Sequence, residues 1–282
     1  MRILVFGAKG QLGKDLVSLF GIDAEVAGHD LPGIDIADVQ AASGAVQAFA
    51  PDLVINAAAA TDVDGAEEDR AGAFRVNETG ARNVAAAAAV EGAPVVYYST
   101  DYVFGGAQTR PYVPEDIVAP IGVYAQSKAA GEAATRKANP KHFIIRTAWL
   151  YGPGGNNFVE KILRAAAKFP SLRVVEDEVG SPTHTLDLAK ATAALVKTDA
   201  YGTYHAVNAG SCSRFDLARA IVELAGLTIP VSPCPSSEFP TKAERPLYSV
   251  LATDKLESAT GYVMRPWHEA LESYMARRDS HA

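Results

Sequence analysis

The chain alternates short apolar runs with longer stretches of helical character. Residues 2–6 form a compact apolar run that stops at Gly7, the pattern of a parallel strand buried on both faces. A helix is predicted over 11–20, a second strand over 25–29, and a helix near 39–49 leading into a strand at 52–56. The alanine-rich stretch 78–90 predicts another helix, followed by strands at 94–99 and 142–146 on either side of a helix over 123–137. Alternation of this kind over the first 150 residues predicts an α/β protein built on a Rossmann-type doubly wound parallel sheet with right-handed crossovers.

The pattern changes after 151–155 (Tyr-Gly-Pro-Gly-Gly). Helices near 157–168, 186–197 and 215–225 mix with short strands at 173–175 and 204–207. A proline-rich loop at 229–246 precedes a terminal helix near 267–278. Residues 1–150 are therefore expected to form the nucleotide-binding domain. Residues 151–282 are expected to form mainly a smaller α/β lobe over the carboxyl edge of the sheet, where such folds bind ligands, with the chain free to cross back.

Composition narrows the classes. With 282 residues and 48% hydrophobic positions the chain can bury a substantial core. A net charge of −7 without a basic run argues against a nucleic-acid partner. The lack of any 18-residue uncharged apolar stretch argues against a membrane span. The apolar run at 3–6 is too short for a signal-peptide core. Cys212 and Cys234 lie in no partner motif and are expected as reduced thiols of a cytoplasmic enzyme.

Gly7-x-x-Gly10-x-x-Gly13 follows the first strand and opens the first helix. The first glycine permits a tight turn, the second lets a pyrophosphate approach the backbone, and the third lets helix and strand pack closely. Gly7, Lys9, Gly10, Gln11, Leu12 and Gly13 are thus the expected pyrophosphate loop of a dinucleotide site. Asp30, 17 residues beyond Gly13, is placed to accept hydrogen bonds from an adenosine ribose and would repel a 2′-phosphate, favouring NADH. Lys9 would neutralise that phosphate and favours NADPH. The residues point to either cofactor, or to use of both. Asp35 and Ile36 lie where adenine would sit, although a turn with a helix cap accounts for them equally. The small residues Ala57, Ala58 and Ala59, with Thr61, let a nicotinamide ribose lie close to the backbone. Asn77 reads as a helix cap or as a water-mediated support for a lysine.

Thr100, at the end of the strand 94–99, can hydrogen-bond a substrate carbonyl oxygen. Tyr124 and Lys128 are four residues apart on one helical face, where the ammonium is expected to draw the phenol's pKa down. Thr100, Tyr124 and Lys128 together form an expected catalytic set for ketone reduction: a carbonyl clamp, a proton donor and a positive field that also holds the nicotinamide ribose.

The glycine turn and the Tyr-x-x-x-Lys pair resemble the extended short-chain dehydrogenase/reductase superfamily. Ser99-Thr-Asp-Tyr-Val-Phe104, Pro111-Tyr, Glu115, Pro120, Gly131-Glu132, Arg146-Thr-Ala-Trp-Leu-Tyr151, Gly155-Asn-Asn-Phe158, Gly180-Ser-Pro-Thr183 and Arg245-Pro246 resemble, more narrowly, the dTDP-4-dehydrorhamnose reductases across essentially the whole chain. The resemblance implies reduction of the C4 ketone of a dTDP-6-deoxy-hexulose for cell-surface polysaccharide. It places Thr100, Asp101, Tyr102 and Trp149 against the sugar, Asn157 and Phe158 near the nucleotide, and Arg245 at the diphosphate. Gly105, Ala125 and Ala60 depart from the common family residues. Some relatives are described as Mg²⁺-dependent dimers. A homodimer stays open on that ground, but no ligand set assembles around Asp15, so no metal is expected. Two rivals are a sugar-nucleotide dehydratase or epimerase and a non-catalytic dinucleotide-binding subunit. Tyr102, standing where dehydratases carry Glu, opposes the first; the intact Thr100, Tyr124, Lys128 and Arg245 oppose the second.

Overall fold

The structure, a computed structural model, describes residues 1–279. Strands β1 (Arg2–Phe6), β2 (Glu25–His29), β3 (Leu53–Asn56), β4 (Val95–Thr100) and β5 (His142–Thr147) are crossed by helices α1 (Gln11–Phe20), α2 (Val39–Phe49), α3 (Val63–Glu68), α4 (Arg70–Phe74), α5 (Ala81–Val90) and α6 (Val123–Ala138). Farther on come β6 (Leu150–Tyr151), α7 (Phe158–Lys168), β7 (Leu172–Val175), β8 (Val179–Gly180), β9 (Thr183–His184), α8 (Thr185–Leu195) and β10 (Gly202–His205). β11 (Cys212–Ser213), α9 (Arg214–Leu224), β12 (Val231–Cys234), α10 (Asp254–Thr260) and α11 (Trp267–Asp279) complete the order.

Six parallel strands form the main sheet in the order β10-β5-β4-β3-β1-β2. The period of two along each strand decides which helices it holds. Ile3, Val5, Leu53 and Ile55 face α1 and α8 through Leu12, Leu16, Leu188 and Leu195. Leu4, Phe6 and Val54 face α2 and α5 through Val46, Val84 and Ala88. Each such fully buried Leu or Ile stabilises the fold by roughly 1.5–3 kcal/mol. Strand order reverses between β1 and β3, and that switch point opens a crevice at their carboxyl ends.

A second core packs α7, α9 and α11 around Tyr151, Ile162, Leu217, Ile221 and Leu271. β7 and β12 pair there in parallel, β8 with β11 antiparallel, and β6 with β9 in parallel. Between these pieces the chain returns to the main sheet, α8 packing on α1 and β10 adding the sixth strand beside β5.

Some elements differ from the sequence expectation. α5 begins at Ala81 rather than at 78, because residues 75–80 wind as a π-helical segment running on from α4. That segment brings Gly80 against Ile36, where a Cβ would lie 2.6 Å from the Ile36 side chain. α3 and α4, not expected, each start at an aspartate cap, Asp62 on Gly65 N and Asp69 on Gly72 N. The proline-rich stretch 229–246 contains β12, whose Pro233 is tolerated at an edge. Among the described residues, no helix is long and apolar enough to cross a membrane.

Candidate active site

The glycine turn after β1 is built by close approach. Gly7 has φ +79° and runs against the chain leaving β3, where a Cβ would meet Ala58 N at 2.5 Å. A Cβ on Gly13 would lie 2.0 Å from Gly7 O, so only glycine lets α1 seat on the turn. Gly10 offers no side-chain cap to α1, leaving the first amides of the helix for an anionic ligand. These features fit a dinucleotide pyrophosphate.

Two cavities meet at this turn. One, of about 420 Å³, is lined by Gly10–Gly13, Ala57–Ala59 and Thr61, by Thr100, Asp101, Tyr124 and Lys128, and by Trp149 and Asn157. The other, of about 370 Å³, is lined by Gly7, Gly10, Asp30, Asp35, Ile36 and Ala57–Ala60. Gly10 and Ala57–Ala59 are common to both, so the two form one crevice across the switch point. Of the residues expected to bind cofactor, only Lys9 lines neither cavity; its amide donates to Asp30 Oδ2 at 2.8 Å. Asp35 is held by Arg75 at 2.6 Å and by the amide of Ala37, which keeps its carboxyl below the ordinary range. The helix cap of this loop is Asp38, which accepts from Gln40 N and Ala41 N.

Asn77 lies inside the π-helical segment and caps no helix. It is buried, accepts from Ala60 N at 2.9 Å, and donates to Ala60 O and to Ser127 Oγ. It therefore ties the loop after β3 to the helix that carries Tyr124.

Tyr124 and Lys128 stand one turn apart on α6, but their electrostatics depart from the sequence expectation. Burial and the nearby Asp101 carboxylate push the Tyr124 phenol above its ordinary value, with the Thr100 hydroxyl as a hydrogen-bond partner drawing it back in part. Lys128 donates to Tyr98 O at 2.6 Å and lies over the Tyr97 ring. Burial pulls its pKa down to about 7 against the favourable Glu132. A phenol so placed stays protonated at neutral pH, which is what a proton donor needs.

The remaining substrate-side expectations divide. Thr100, Asp101, Trp149 and Asn157 face the crevice. Asn157 is also the cap of α7, accepting from Glu160 N and donating to Gly152 O and Gln11 Oε1. Tyr102 is buried edge-on to Tyr124, with its hydroxyl accepting from Arg214. Phe158 packs into the second core under Arg214. Arg245, expected at a diphosphate, is paired with Asp64 at 2.9 Å and donates to Ala243 O, because α3 lies directly beneath its loop.

The Ser99 hydroxyl lines the crevice at the strand end, where the sequence places it, buried without a partner among the described residues. Three contributors escaped the sequence: the Thr147 hydroxyl, which also lines the crevice, and the side chains of Arg214 and Glu67. Arg214 lies 3.4 Å from the Trp149 ring centroid, and Glu67 accepts from Val123 N at 2.7 Å at the start of α6. Trp149 itself has φ +45° and rests on Gly180. The Arg214 position carries no motif. Among the described residues no group of three or more His, Cys, Asp or Glu is placed to hold a metal. Cys212 and Cys234 are unpaired and buried, and burial pushes the Cys212 thiol up to about 12.

The RmlD substrate binding domain family matches residues 1–280. This chain belongs to that family. The dTDP-4-dehydrorhamnose reductase of Mycobacterium tuberculosis is 42% identical over 98% of this chain and 92% of its own. Among solved structures, a dTDP-4-dehydrorhamnose reductase from Clostridium acetobutylicum superposes with a TM-score of 0.97 at 41% identity, covering 99% of this chain and all of its own. The family member from Bacillus anthracis, solved in complex with NADP, gives a TM-score of 0.95 at 40% identity over 98% of this chain and 99% of its own.

Proposed function

We propose that the protein is a dTDP-4-dehydrorhamnose reductase, reducing the C4 ketone of dTDP-6-deoxy-L-lyxo-4-hexulose to dTDP-L-rhamnose with NADPH or NADH. The observation that carries the reading is the convergence of Thr100, Tyr124 and Lys128 in the crevice at the β1/β3 switch point. Full-length similarity to reductases of that name supports the choice of substrate.

Bound in the crevice, the dihydronicotinamide supplies the hydride. Thr100 orients the ketone oxygen, and Tyr124 releases its phenolic proton to that oxygen as it gains charge. Lys128, buried with its ammonium beside the sheet end, stabilises the phenolate that remains. Trp149 walls the sugar side. Arg245 reaches the diphosphate by leaving Asp64, an exchange between two anions at a partly exposed site.

The proposed setting is the cytoplasm, in the making of a rhamnose donor for cell-surface polysaccharide such as O antigen. A homodimer is the assembly to test by sedimentation. The decisive assay supplies purified protein with the 4-keto sugar nucleotide made by upstream enzymes, and with NADPH and NADH in turn. Loss of dihydronicotinamide absorbance and appearance of dTDP-L-rhamnose are expected. No turnover with either cofactor, while a known reductase works in parallel, would refute the reading.

A further inference from the structure

The helix that bears Tyr124 does not cap itself. Gly122, the residue before α6, has φ +78° and no side chain to offer, and residues 123–126 of the first turn include no acid. The missing group comes from another element. Glu67, on α3, accepts from Val123 N at 2.7 Å, so a carboxylate sits against the positive end of α6. Glycine at 122 is what admits it, since a Cβ there would lie 2.9 Å from Glu67 Oε1. Val123 immediately precedes Tyr124, so holding its amide holds the point from which the proton donor extends.

The same short helix also packs against Tyr124. Ala66 of α3, Ala73 and Phe74 of α4, Val123 and Tyr124 form one apolar cluster. The neighbours 66 and 67 thus hold the neighbours 123 and 124, one by packing and one by a hydrogen bond. A tether is only as firm as its own footing, and α3 is fixed along its length. Asp62 caps its start on Gly65 N at 3.0 Å. Asp64 accepts from Ala243 N at 3.0 Å and from Arg245 at 2.9 Å, and Glu68 pairs with Lys242. Arg70, just beyond α3, donates to Gln126 Oε1 at 2.9 Å. Glu67 lies outside the residues that line the crevice, so what it does for the reaction passes through Tyr124.

From this arrangement we propose that Glu67 is a positioning residue for the reduction: its bond to Val123 N sets how far the Tyr124 phenol reaches toward the ketone oxygen. The inference rests on the reductase reading. The phenol must stand at hydrogen-bond distance from that oxygen while the ketone carbon faces the dihydronicotinamide. In such a geometry a displacement on the order of 1 Å costs about 10²-fold in rate. Without the carboxylate, Val123 N is left to water and the first turn of α6 loosens. Tyr124 then loses its reference point. Lys128, one turn deeper and bonded to Tyr98 O at 2.6 Å, keeps its own. Cofactor binding is therefore expected to survive where turnover does not.

Three variants test it. In Glu67→Ala, kcat is expected to fall roughly 10- to 100-fold, while the dinucleotide Kd from fluorescence titration stays within about twofold of wild type. Glu67→Gln keeps an acceptor for Val123 N and should recover kcat to within about threefold. Glu68→Ala breaks only the exposed pair with Lys242 and should leave kcat within about twofold. In the ligand-free protein, hydrogen exchange at the Val123 amide should quicken roughly tenfold in Glu67→Ala and stay near wild type in Glu67→Gln. An alanine variant with near-normal kcat, or one that loses cofactor affinity or folded structure along with turnover, would overturn the proposal. So would a glutamine variant as slow as the alanine one, an equal loss in Glu68→Ala, or unchanged exchange at Val123. A wild type without turnover would refute the reductase reading, and exchange at Val123 would still decide whether Glu67 holds the start of α6.

Discussion

Glu132 to Gln is the sharpest perturbation of the frame that holds the site. Glu132 lies one turn beyond Lys128 on α6, and Arg146 lies on β5 opposite Ser99 of β4. Their two parallel hydrogen bonds, 2.8 Å each, tie the helix of Tyr124 and Lys128 to the strands that end at Thr100. The side chains are 3% and 4% exposed. Gln keeps the shape but removes the charge, leaving the Arg146 guanidinium buried with a neutral acceptor and Pro114 O. Breaking such a pair from one side costs about 3–5 kcal/mol. At roughly 2–4 °C per kcal/mol for a large domain, Tm should fall by on the order of 10 °C. The double variant Glu132→Leu with Arg146→Met, which removes both charges, should recover most of the loss. Urea unfolding of the three proteins, followed by circular dichroism, is the assay. A single variant within about 1 kcal/mol of wild type would refute the view that this pair sets the height of α6.

Tyr124→Phe should lower kcat by ~10²–10⁴ while dinucleotide affinity, measured by fluorescence titration, stays near wild type; turnover within a few-fold of normal would remove Tyr124 as the acid. Lys128→Met should abolish turnover yet stabilise the fold. Lys128 has a folded pKa of about 7, below its ordinary 10.5. The unfolded chain therefore binds more protons between those pH values, and wild-type stability rises with pH across that window, with the penalty complete below pH 7. The methionine variant should lead by on the order of 2–4 kcal/mol near neutral pH, and the lead should shrink toward pH 10. A wild type that melts higher at neutral pH would contradict this.

The parallel sheet, the glycine turn and the Thr100–Tyr124–Lys128 set were legible because each is written locally. A strand is a run of four or five apolar residues, and the turn and the helix pair each fit within a few positions. The π-helical stretch at 75–80 was not legible, since its composition is helical and only the packing of Gly80 on Ile36 selects the wider winding. Nor was the partner of Arg245. Asp64 stands 181 residues away, and nothing in either neighbourhood names the other.

The same distinction explains why the electrostatics of the Tyr-x-x-x-Lys pair ran opposite to expectation. Spacing on a helix puts two groups on one face, but it says nothing of depth. Here α6 is sunk against β4 far enough that Lys128 spends its ammonium on Tyr98 O and the Tyr97 ring. Desolvation and Asp101 then dominate the phenol. The spacing of the pair is local in sequence, but the depth that sets its charge is fixed by β4 and the carboxyl edge of the sheet, which exist only once the chain has folded.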